Sequence, residues 1–169
     1  MLTSIDAILA APPDISWNTI RLHFSGLALD VRNRLEGLVV DELGTQEDYG
    51  IITVAEAPDA TLKAPEVGVD ATTLEVGQAI TSIRVVTDIA EIHGNGTLVA
   101  RLEYPQAIAF RTDRDIILLD KETWFSEMLT IKRGPELDEL IYDDAPSWED
   151  SPEEDPTTHY DYWTQIQEL

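Results

Sequence analysis

AITSIRVVTDIAEIHGNGTLVARLEY, residues 79–104, decides the fold class. Its centre, Asn95-Gly96, separates two apolar runs. Upstream, Ala79–Ile92 is dense in Ile, Val and Thr, residue types that fit a pleated, half-buried surface. Downstream, Leu98, Ala100, Leu102 and Tyr104 alternate with Val99, Arg101 and Glu103. A two-residue type I′ turn needs positive φ at both central positions, which Asn-Gly tolerates best. The stretch reads as a β-hairpin.

Working outward, the same period of two recurs. In TIRLHF, Ile20, Leu22 and Phe24 alternate with Arg21 and His23; Gly26 then marks a bulge or tight turn before Leu27, Leu29 and Val31 resume the pattern. LEGLVVDEL and YGIITVAE read as two further strands. Residues 57–77 form a long loop with a short strand near Thr72–Val76. QAIAF and DIILLD make a second hairpin across Thr112–Arg114, and the second half of WFSEMLTIKRG reads as a strand. Short turns with no intervening helices argue against a parallel βαβ sheet.

Two stretches carry helix signals instead. Thr3 and Asp6 have capping-box spacing ahead of Ser4–Ala11, and Pro12-Pro13 would end that helix. Thr158 and Asp161 repeat the spacing near the C-terminal end, where Tyr162, Ile166 and Leu169 fall on one helical face beside Trp163. The expected architecture is therefore α+β: mainly antiparallel β, a sheet or sandwich of about seven to nine strands, with short N- and C-terminal helices. Residues 1–142 form the β-rich domain, and residues 143–169 form an acidic tail whose amphipathic helix packs on it.

Composition narrows the function. The chain has 169 residues, 43% of them hydrophobic, enough for one domain with a sizeable core. Cysteine is absent, which removes disulfides, thiolate nucleophiles and Cys-ligated zinc. The formal charge is −22. Binding to nucleic acid or an anionic membrane is disfavoured, because both need Lys and Arg at the contact. No basic residue precedes the apolar N-terminal stretch and Asp6 interrupts it, so a cytoplasmic location is expected. The charge is also lopsided. Residues 135–169 hold 12 acids and no Lys or Arg, whereas residues 1–134 hold 21 acids and all 11 bases.

Catalytic patterns are weak. His23, His93 and His159 show no H-x-x-x-H spacing, Asp113 and Asp115 lack the glycine and distant Glu of a calcium loop, and no nucleophile elbow or P-loop occurs. Glu122 and Glu127 are one of many chance carboxylate pairs, and Trp124 and Phe125 read as core aromatics. No catalytic residue, metal or cofactor is expected. What stands out is an acidic surface punctuated by aromatics: Tyr142, Asp143, Asp144, Trp148, Glu149, Asp150, Glu153, Glu154, Asp155 and Tyr160. Trp and Tyr are enriched in protein-binding hot spots, and carboxylates pair with Arg and Lys of a partner. These residues are expected to bind a basic protein. In size and charge the chain resembles the small acidic immunity and anti-nuclease proteins, which implies neutralisation of a cationic toxin such as a nuclease; no motif carries residues across. The alternatives are an enzyme with a carboxylate or divalent-cation site and an assembly subunit.

Overall fold

The computed structural model describes residues 1–9, 15–39, 46–58, 60, 71–121, 126, 128–141 and 158–169. Ten strands follow one another: β1 (Leu2–Leu9), β2 (Ile15–Phe24), β3 (Leu27–Val39), β4 (Gln46–Ala57), β5 (Ala71–Gln78), β6 (Ile80–Gly94), β7 (Thr97–Thr112), β8 (Ile116–Asp120), β9 (Met128–Gly134) and β10 (Thr158–Glu168). They form two antiparallel five-stranded sheets, ordered β5-β1-β2-β3-β4 and β10-β6-β7-β8-β9. The sheets are joined where Ile15–Trp17 of β2 pairs with Met128–Thr130 of β9.

The core follows from the alternation. Ile20, Leu22 and Val31 of the first sheet meet Ile108, Phe110, Ile117 and Leu119 of the second in one buried cluster. β8 is buried on both faces: Ile116 and Leu118 point the other way and pack with Val86, Ala107, Ala109 and Leu137. A strand covered on both sides needs a continuous apolar run, and IILL supplies it. Leu140 and Ile141 close over that second cluster. At the β6–β7 turn, Asn95 has φ 52° and Gly96 φ 74°, the left-handed pair that type I′ demands.

The α+β expectation is corrected, since the described residues are all-β and include no helix. The N-terminal segment is β1, held between β2 and β5. Its supposed capping residues serve the sheet: Thr3 Oγ1 donates to the His23 carbonyl (2.8 Å), and Asp6 accepts from Thr73 Oγ1 (2.8 Å). The C-terminal segment is β10, paired with β6 from Thr158↔Gly94 to Glu168↔Arg84. A local helix signal over a dozen residues is marginal in water. Here it competes with a 15-residue strand whose N–H and C=O groups need partners, and the sheet wins.

A charged cluster lies on the first sheet. The Arg21 guanidinium grips Asp30 through Nε (2.7 Å) and Nη2 (3.0 Å), and Arg32 adds a third contact at 2.9 Å. Asp30 is 2% exposed. The hydrogen bond from Arg21, aided by Arg32, holds its carboxyl below the ordinary carboxylate value against the opposing effect of burial. A depressed pKa contributes stability that is complete above the ordinary value of 3.8 and is lost as pH falls through the native one. Asp30→Asn is therefore expected to cost about 2 kcal/mol at pH 7 and to reduce the loss of stability below about pH 4. Urea unfolding at pH 7 and pH 3 checks both; an unchanged acid limb would remove Asp30 from the account.

Candidate functional site

Most of the sequence-selected binding residues, Tyr142, Asp143, Asp144, Trp148, Glu149, Asp150, Glu153, Glu154 and Asp155, lie outside the described residues, as do Glu122, Trp124, Phe125 and Glu127. What the structure brings together is the ground on either side of them. Leu137–Ile141 packs on the second sheet, and Thr158 begins the strand at that sheet's edge. Tyr160 sits on β10 opposite Ile92.

Strand alternation then sorts β10 into two faces. Tyr162, opposite Ala90, packs beside a cluster of Tyr49, Ala90 and Tyr104, in which the two tyrosine rings stack at 4.7 Å. Thr164 Oγ1 donates to Asp88 Oδ1 at 2.9 Å. The opposite face carries His159, Asp161 and Trp163. Cross-strand register sets Asp161 against Glu91 and His159 against His93, so four polar side chains meet on adjacent strands. Arg101 of β7 completes the ribbon: it donates to Glu91 Oε1 (2.8 Å) and Glu103 Oε1 (2.9 Å) and lies 5.4 Å from the centroid of the Trp163 ring. His93 and His159 are far apart in the chain, so no spacing motif could reveal that they are neighbours. Only the register of β10 does.

Beneath this ribbon lies a buried polar group. Lys121 is fully buried; its Nζ donates to the Gly50 carbonyl at 2.6 Å and lies 5.9 Å from the centroid of the Tyr104 ring. Burial pulls its ammonium down to about 8, against the pull of Asp88 and Asp120. Asp120 shifts upward, because burial outweighs the hydrogen bonds from Lys132 and Gln106. Perturbed groups mark functional sites only when a substrate can reach them. Lys121 and Asp120, at 0% and 2% exposure, are closed to one and act as internal supports.

No known family, curated protein or solved structure matches this chain. The functional argument rests on its own residues. His23 pairs with Asp6 at 2.9 Å on the first sheet, away from the other two histidines. Asp115 accepts from Thr112 Oγ1 and is salt-bridged by Arg133, which explains the charge pattern of the β7–β8 turn.

The basic residues are largely committed. Arg21 and Arg32 hold Asp30, Arg34 holds Glu36, Arg101 holds Glu91 and Glu103, Lys132 holds Asp120, and Arg133 holds Asp115. Each of these carboxylates precedes residue 135. Among the described acids beyond it, Glu168 meets Arg84, Asp161 meets histidines, and Glu136, Asp138 and Glu139 are exposed with no ion pair among the described residues. No helix among the described residues is long and apolar enough to cross a membrane.

Proposed function

We propose that this chain is a cytoplasmic acidic binding protein that captures a basic protein partner and covers its working surface. The supporting observation is the distribution of counter-charge. Six cations of the body, Arg21, Arg32, Arg34, Arg101, Lys132 and Arg133, are engaged by the body's own carboxylates and Arg84 by Glu168, while residues 135–169 bring 12 acids and no Lys or Arg. Opposite fields accelerate encounter and select partners by sign. Described residues flank the most acidic stretch on both sides: Ile141 packs on the second sheet and Thr158 begins its edge strand. Binding without catalysis fits this arrangement, with Trp148, Tyr142 and Tyr160 as aromatic anchors among the carboxylates Asp143, Asp144, Glu149, Asp150, Glu153, Glu154 and Asp155. An immunity-like or nucleic-acid-mimicking inhibitor is the class this describes.

The full chain, immobilised at ~50 mM salt and eluted on a rising gradient, should release a basic protein that rebinds in a defined ratio. Its Kd is expected to weaken roughly a hundredfold between ~50 and ~500 mM salt, and at least tenfold when Glu153, Glu154 and Asp155 are all made amides. Affinity indifferent to both changes rejects the reading.

A further inference from the structure

We propose that Glu91, His93 and Asp161, with His159 orienting Asp161 from outside, form a site for a divalent transition metal that fastens β10 to β6. The inference does not depend on the partner proposed above. Glu91 and His93 are two residues apart on β6 and so share a face; Asp161 and His159 do the same on β10, directly opposite. One ligand atom each from Glu91, His93 and Asp161 lie within 4.8 Å of one another. His93 Nε2 is buried and makes no hydrogen bond. It faces Asp161 Oδ2 at 3.4 Å and Glu91 Oε2 at 3.6 Å. Ligands bound at ~2.0–2.1 Å around a tetrahedral zinc stand about 3.3 Å apart, so modest movement brings these three atoms onto one ion.

The remaining lone pairs are already spoken for in the way metal ligands require. Arg101 Nη1 donates to Glu91 Oε1 at 2.8 Å, leaving Oε2 turned to His93. His159 Nε2 lies 3.2 Å from Asp161 Oδ1, leaving Oδ2 turned to His93 Nε2. Such outer contacts orient ligands and tune their basicity. The mixed imidazole and carboxylate donors suit zinc and its neighbours in the series, whereas magnesium and calcium prefer oxygen alone. Because the ligands come from two strands, the ion binds only when β10 is seated, and its free energy becomes free energy of strand docking.

The test uses the full chain, stripped with a chelator and titrated with Zn²⁺. Expected are one saturable equivalent, movement of the His93 ring signals at that equivalent with His23 unmoved, and a midpoint of thermal unfolding raised by about 5–10 °C at ~100 times Kd. Asp161→Asn, on the exposed edge strand, should weaken binding at least tenfold. It keeps the test valid if His93→Gln fails to fold. Excess Mg²⁺ should not compete. Zinc uptake that leaves the His93 signals in place, or that survives Asp161→Asn unchanged, is diffuse binding to carboxylates and overturns the proposal.

Discussion

Gly50→Ala is expected to lower the free energy of unfolding by about 3 kcal/mol. A Cβ at this position would stand 2.5 Å from the Ser126 carbonyl oxygen, 2.8 Å from Asn33 Oδ1 and 3.1 Å from Lys121 Cδ. The first of these is backbone and cannot rotate away. Asn33 is itself held, its Nδ2 donating to the carbonyls of Ser126 (2.7 Å) and Met128 (3.0 Å). The substitution must push β4 away from Ser126, and β4 carries Tyr49, whose ring stacks on Tyr104. Urea titration of the two proteins measures the effect. A loss under about 1 kcal/mol would mean that β4 can step back, and that the close approach is not a constraint.

The carbonyl of Gly50 itself receives the ammonium of Lys121, and here the expected effect depends on pH. Burial lowers that group from 10.5 to about 8. Between these two values the unfolded chain holds the proton and the native chain does not. Stability therefore rises with pH across the interval, because the unfolded state binds more protons there. Below about pH 8 both states are charged and the cost of burying the charge is fully present. The rise should amount to about 3 kcal/mol from pH 8 to pH 10.5. Lys121→Met keeps the volume and removes the charge. It should sit within about 1 kcal/mol of the parent at pH 7, since relief of desolvation offsets the lost bond to Gly50, and the rise should vanish. Lys121→Ala should lose about 4 kcal/mol at pH 7, because it opens a cavity and orphans the carbonyl. Comparing parent with Lys121→Met from pH 7 to pH 10.5 isolates this residue from tyrosine ionisation. Parallel curves would show that the ammonium is hydrated.

Particular residues show why the sequence was readable in some places and opaque in others. Asn95-Gly96 announced its hairpin because turn chemistry is local, and φ 52° and 74° are what those two residues accept. DIILLD read as a hairpin strand after the Thr112–Arg114 turn, and β8 is that strand; its burial on both faces was seen only in the structure. Pro105 misled: QAIAF read as a separate strand, yet β7 runs through it for 16 residues. Pro105 pairs with Thr87 beside a register shift, the kind of irregular position where a missing N–H is tolerated. The two helices failed because a capping box is a local offer, and the competing demand came from strands remote in sequence. Asp161 was counted as a cap; in β10 it faces Glu91 and His93 instead. Of the site, the charge imbalance was legible and the cluster of Glu91, His93, Asp161 and His159 was not. No residue in it has a neighbour in the chain that signals its cross-strand partner.

β10 also determines when β6 is vulnerable. During synthesis β6 leaves the ribosome long before β10 exists, and among the described strands no other pairs with it on that side. Throughout that interval a nascent strand containing Ile80, Ile83, Val85, Val86, Ile89 and Ile92 presents a bare hydrogen-bonding margin, the kind of template on which neighbouring polypeptides nucleate intermolecular β-structure.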